Sequence, residues 1–142
     1  MRRLILCGLL VLCILPLSCS QKECEWREIA KFANYEVQNI QDLAFVVVSG
    51  DTTVTEPFSA HKRKLQIFSV SSCSSSGILT IDLYHYPDMR FVKTVADGIW
   101  TGNQSEGPRK GFCLAEAEKG MYCLSVSSSP SVTWAVTVSE CV

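Results

Sequence analysis

A strict alternation near the C-terminus is the feature that most constrains how this chain can fold. In residues 132–138, every second side chain is Val or Trp, and the residues between are Thr or Ala. Successive side chains of a β-strand point to opposite faces, so the pattern predicts a strand with one buried face. Residues 79–83 and 122–126 alternate in the same way. The sequence therefore predicts β-structure built from half-buried strands.

Turn residues separate these segments from one another and from shorter apolar runs. Several short strands with turns between them predict an all-β fold, an antiparallel β-sandwich or jelly roll. Residues 25–33 are predicted as a further strand, although the spacing of Trp26, Ile29 and Ala33 also fits an amphipathic helix. The turn signals are Ser49-Gly50-Asp51, Glu56-Pro57, Ser74-Ser75-Ser76-Gly77, Pro87-Asp88, Gly107-Pro108 and Ser129-Pro130.

The first 20 residues are typical of a signal peptide. Arg2 and Arg3 precede an apolar run over residues 4–17, which is too short to span a bilayer. Cleavage before Gln21 would leave residues 21–142 as a single secreted, extracellular β-sandwich domain. A bacterial lipoprotein signal is the alternative: Cys19 would then be lipidated and anchor the chain at the cell envelope, although Pro16 departs from that pattern.

Charge argues against a nucleic-acid partner. The chain has 13 Lys and Arg side chains and 14 Asp and Glu side chains. Loss of Arg2 and Arg3 with the signal leaves 11 basic against 14 acidic side chains, a formal net charge of −3. An acidic chain lacks the basic surface that nucleic-acid binding requires.

Cysteines in an exported chain indicate disulfides, and their spacing here contains no C-x-x-C metal or redox motif. Two bridges are predicted. Cys113 and Cys123 flank a segment that resembles a hairpin, and Cys24 and Cys141 bracket nearly the whole domain. Cys73 is then left over, and it could pair with Cys19 or link two chains into a dimer.

No constellation of catalytic residues is evident, so we expect no enzyme and no cofactor. The chain lacks a G-x-S-x-G nucleophile elbow, and its histidines, His61 and His85, lie beside turns. Asp82 and His85 would point to opposite faces of one strand, which argues against a shared metal ion. A small secreted hydrolase, with either histidine beside a serine and a carboxylate, remains the less favoured alternative.

Exposed aromatic residues are the candidate binding site. If Ile81 and Leu83 point into the core, Tyr84 and Tyr86 share the outward face of their strand. Trp100 is predicted in a loop nearby. Such residues could bind a protein or stack on a glycan, whereas the structural alternative is ordinary cross-strand packing, with Trp100 folded over the core. Asn103-Gln104-Ser105 is a candidate glycosylation triplet.

Several short motifs follow one another along the chain. They are Trp26-x-x-Ile29-x-x-Phe32, Ser49-Gly50-Asp51, Val54-Thr55-Glu56-Pro57-Phe58, Leu79-Thr80-Ile81-Asp82-Leu83-Tyr84, Gly120-Met121-Tyr122-Cys123-Leu124 and Trp134-Ala135-Val136-Thr137-Val138. Together they resemble the pre-peptidase C-terminal domains, small jelly rolls of prokaryotic exported proteins. The segment around residues 34–42 and the number of cysteines depart from that pattern. The resemblance implies a non-catalytic accessory module.

Together these features predict an exported, non-enzymatic binding module for an extracellular protein or glycan. The alternative is a structural envelope protein that is held by a lipid on Cys19 and has no small-molecule ligand.

The N-terminus of the exported chain distinguishes secretion from lipid anchoring. We expect mass spectrometry to find a chain that starts at Gln21, free or cyclised. A diacylglyceryl group on Cys19 would contradict plain secretion and support the tethered alternative.

Overall fold

The structure, a computed structural model, describes residues 23–36, 45–50, 52–62, 64–102 and 107–142. The regular secondary structure in these ranges consists of β-strands alone, which confirms the predicted all-β class. The described ranges contain no apolar helix long enough to cross a membrane. The strands are β1 Trp26–Ala33, β2 Val46–Val47, β3 Thr52–Val54, β4 Phe58–Ala60, β5 Lys64–Cys73, β6 Ser76–Tyr86, β7 Arg90–Thr101, β8 Arg109–Glu116, β9 Gly120–Ser128 and β10 Val132–Cys141.

Two sheets pack face to face as the predicted sandwich. The first has the order β2-β1-β10-β5-β8, and only its β1–β2 pair is parallel. The second has the order β3-β9-β6-β7, with β4 also paired to β9. The ambiguous segment after Glu25 is strand β1, so the strand interpretation is correct.

The core lies between the sheets and is built from the alternating residues. Trp134, Val136 and Val138 of β10 are buried from one side, and Ile81 and Leu83 of β6 are buried from the other. Burying such side chains contributes about 1.5–3 kcal/mol each. Burial of these alternating side chains therefore stabilises the packing of the two sheets.

The two ends of the domain are tied together at one edge of this core. Cys24 and Cys141 form a disulfide, which confirms that prediction. Next to it, Arg27 and Glu140 are register partners on β1 and β10, and the guanidinium contacts the carboxylate at 2.5 Å. Glu140 is fully buried and also accepts a hydrogen bond from the backbone N–H of His61.

This buried carboxylate is tolerated because it is fully partnered. Burial by itself raises the pKa of Glu140, but the backbone N–H of His61 and the guanidinium of Arg27 outweigh it and lower that pKa below its usual value. Glu140 is therefore held as a carboxylate, and it connects β10, β1 and the segment before β5.

The predicted hairpin and its Cys113–Cys123 bridge are wrong. Strand β8 pairs with β5 in the first sheet, whereas β9 pairs with β6 in the second, so the chain crosses between the sheets at residues 117–119. Cys113 points into the core, and Cys123 points to the outer face of the other sheet, where it is level with Tyr84. Both thiols are free, as is that of Cys73.

Three further predictions concern residues outside the described ranges. The signal segment 1–20, its candidate lipidation site Cys19 and the candidate glycosylation site Asn103 stay predictions.

The Cys24–Cys141 bridge closes a loop with a sequence separation of 117. The double variant Cys24→Ser/Cys141→Ser is expected to lose about 2–5 kcal/mol of unfolding free energy, because its unfolded chain is no longer constrained. Urea denaturation measures this, with Cys73→Ser as the control for a half-buried free thiol. An equal, small change in both proteins would contradict the proposed tie.

Candidate recognition face on the second sheet

The outer face of the second sheet carries the two tyrosines that the sequence singled out. Ile81 and Leu83 are fully buried, so strand alternation turns Tyr84 and Tyr86 to the opposite side. Tyr84 is half-buried, and Tyr86 is 39% exposed. The structure thus places both tyrosines on one surface.

Strand pairing adds a phenylalanine to these tyrosines. Phe91 of β7 is the register partner of Tyr84, and their rings meet edge to face with centroids 5.7 Å apart. Phe91 is 55% exposed, the most exposed aromatic side chain of this face. Edge-to-face packing fixes Tyr84 as a support while leaving most of the Phe91 ring accessible.

Methionines complete the surface. Met121 of β9 is level with Tyr86, and Met89 in the turn between β6 and β7 is 39% exposed. The sulfur of Met89 lies 3.6 Å from the thiol of Cys123, which is fully buried beneath it. We call Tyr84, Tyr86, Met89, Phe91 and Met121 the recognition face.

The turn that presents Met89 has an uncommon backbone. Met89 has a φ of 54°, in the left-handed region that non-glycine residues seldom adopt. Such conformations persist where the surroundings determine them, and they occur preferentially at functional sites. Here the turn between the paired strands β6 and β7 places the thioether of Met89 over the thiol of Cys123, and Met89 stays partly exposed.

Below this face, the Cys123 thiol is not a reactive group. Burial raises the pKa of Cys123, so the thiol stays protonated. Its place is structural: it fills the space between Met89 and the sheet.

Trp100 does not join the recognition face, which corrects two predictions about it. It lies within β7 and not in a loop, and it is only 8% exposed. The guanidinium of Arg109 covers its ring at 4.4 Å from the centroid. Gly98 makes room, since a Cβ there would lie 3.1 Å from the ring. Trp100 is therefore a core residue at the edge of the sandwich.

The histidines lie at the end of the sandwich, away from the recognition face. His85 hydrogen-bonds to Asp88 at 2.8 Å and packs edge-on against Tyr122, whereas Asp82 points to the outer face. The hydrogen bond from His85 lowers the pKa of Asp88. Asp82 and His85 are thus on opposite faces, and the described residues include no group of three or more His, Cys, Asp or Glu that could hold a metal.

Two cavities open next to the histidines. His85 lines one of about 300 Å³ together with Arg90 and Glu118, and His61 lines a larger, open one with Lys64 and Glu116. Among the described residues that line them there is no serine. The grouping that the hydrolase hypothesis requires is not found there.

Sequence reasoning missed three members of the recognition face: Met89, Phe91 and Met121. The available signal was the short separation in sequence between Tyr84 and Phe91. They flank a Pro-Asp turn, which predicts that they are cross-strand neighbours. The chain matches no protein-family model, no curated protein and no solved structure.

Two aromatic substitutions distinguish the core from this surface. Trp100→Ala removes a buried ring and is expected to lower the unfolding free energy by about 3–5 kcal/mol. Phe91→Ala removes a mostly exposed ring and should cost about 1 kcal/mol or less. Urea denaturation of both variants provides the comparison, and a larger loss for Phe91→Ala would reverse the assignment.

Proposed function

We propose that this chain is an exported, non-enzymatic binding module that recognises a protein partner through the recognition face. The observation that supports this most directly is the grouping of Tyr86, Met89 and Phe91 as exposed side chains around the half-buried Tyr84. Large apolar side chains grouped on a surface mark interaction sites, whereas isolated ones do not.

The composition of the face favours a protein over a glycan. Protein interfaces are enriched in Tyr, Phe and Met, and the thioether of Met adapts to irregular partner surfaces. A sugar-binding site uses a flat ring flanked by polar groups that bond to hydroxyls. Trp100, the ring best suited to such stacking, is buried under Arg109.

The scaffold lowers the cost of binding. Tyr84, Tyr86 and Phe91 stand on paired strands of the second sheet, and only Met89 is on a turn. Side chains that are already ordered lose little conformational entropy when a partner docks. A rigid aromatic surface of this kind supports binding without any catalytic group.

Export is supported by the signal-like residues 1–20 and by the Cys24–Cys141 bridge, because structural disulfides are typical of oxidising compartments. The resemblance to pre-peptidase C-terminal domains points to the same role, an accessory module beside another exported protein. A lipid on Cys19 would place the same module at the envelope. A dimer linked through Cys73 also stays a prediction, since that thiol is half-buried and donates to the carbonyl of Ser75.

The test compares binding of three proteins to the extracellular and envelope fraction of the source cells. Three proteins are immobilised: the exported chain, the double variant Tyr86→Ser/Phe91→Ser and the control Ile99→Ser. The fraction is passed over each of them, and the protein that each one retains from the fraction is quantified. Ile99 is 70% exposed on the same sheet face, but it lies eight residues from Phe91, roughly 25 Å along β7.

We expect one defined protein to be retained, with an affinity lowered at least about tenfold by the double variant and unchanged by Ile99→Ser. Equal retention by all three proteins would contradict the proposed face. Retention that survives proteolysis of the fraction but not treatment with glycosidases would show that the ligand is a glycan.

A further inference from the structure

Strand β8 forms one edge of the first sheet, and no described strand pairs with its other side. Its outward residues Lys110, Phe112, Leu114 and Glu116 are all exposed, with Phe112 at 59% and Leu114 at 52%. An exposed edge with apolar side chains is a template for pairing with another strand.

The sequence of this edge is complementary to itself. When two copies of β8 run antiparallel with Cys113 opposite Cys113, Lys110 of each copy lies opposite Glu116 of the other. Phe112 likewise lies opposite Leu114. Opposite charges and paired apolar side chains directly across an antiparallel pair are stabilising.

Neighbouring registers lose this match. A shift of two residues one way places Lys110 opposite Leu114, and a shift the other way places Phe112 opposite Glu116. Shifts by one residue would bring outward side chains opposite inward ones. Only the Cys113-centred register satisfies both ion pairs and both apolar pairs.

One backbone carbonyl of this edge points away from β5 and accepts a hydrogen bond from a side chain of the other sheet. The Nζ of Lys93, from β7 of the other sheet, donates to the carbonyl of Leu114 at 2.8 Å. A backbone N–H of a second copy could take the place of that ammonium. Lysine side chains at sheet edges can also block strand pairing, and a chain in which Lys93 does so would stay monomeric.

We propose that two copies of this chain associate through antiparallel pairing of β8, which joins their first sheets into one continuous sheet. The contact is isologous, with the same surface on both copies and a closed two-fold symmetry. Phe68 is 40% exposed and is the register partner of Phe112, so it extends the apolar cluster on each side of the axis.

The pairing also has a consequence for binding. A two-fold axis perpendicular to the joined sheet leaves both second sheets on the same side of it. The two recognition faces then point in the same direction, and a partner displayed in several copies could be bound by both. The proposed dimer involves β8 and the neighbouring Phe68 of β5, and it does not depend on the proposed function.

A charge exchange tests the pairing by sedimentation equilibrium of the exported chain without any partner. Lys110→Glu and Glu116→Lys each replace two ion pairs by two like-charge contacts across the axis. We expect each single variant to raise the dimer dissociation constant about tenfold. The double variant Lys110→Glu/Glu116→Lys rebuilds both pairs in the opposite sense and should dimerise like the original chain.

Lys119→Glu is the matched control for Lys110→Glu. Lys119 is an exposed lysine just beyond the strand, and its replacement changes the net charge by the same amount. Circular dichroism and urea denaturation check that every variant is folded. A chain that stays monomeric under all conditions, or a double variant that fails to recover, would overturn the proposal. So would a dimer that Cys73→Ser abolishes, since it would be held by a different contact.

Discussion

Removal of every second side chain of the central strands from water is the constraint on which the rest of this structure depends. The apolar face of a single sheet is removed from water only when another layer covers it. Here the apolar faces of the two sheets cover each other. Trp134 and Val136 on one side and Ile81 and Leu83 on the other are buried together. All other features, including the tie between the chain ends and the exposed outer faces, follow from this arrangement.

Local pattern predicted the elements of this fold well, because alternation is a property of a strand by itself. It predicted β6, β9 and β10, and the strand at residues 26–33. It could not assign partners to the strands. The segment between Cys113 and Cys123 has the length and glycine of a hairpin, but its two flanking strands find better burial in different sheets.

The same limit explains the error about Trp100. A tryptophan between two glycines is typical of a loop, and only the position of β7 at the edge of the sheet, next to Arg109, makes it a buried residue. Tyr84 and Tyr86 were predicted on one face because their neighbours Ile81 and Leu83 are plainly apolar. Phe91 was missed as a site residue because register shifts in the β6–β7 pair break the simple alternation of β7.

The sandwich thus offers two different surfaces for interactions. On the second sheet, aromatic rings and thioethers form a rigid apolar face with a buried, inert thiol beneath it. On the first sheet, the charged and apolar residues of the edge strand β8 are complementary to those of a second, antiparallel copy of the same strand. The proposed partner docks on the former, and the proposed second copy pairs with the latter. Each surface is formed by outward-facing side chains, because the inward-facing side chains form the core.

Cross-strand nuclear Overhauser effects test the central claim most directly, because they report which strands are neighbours. The account predicts contacts between the backbones of Phe112 and Phe68 and between those of Tyr122 and His85, with none between Cys113 and Cys123. Strong contacts between Cys113 and Cys123 would place β8 and β9 in one hairpin. That result would contradict the crossing between sheets and remove both proposed surfaces.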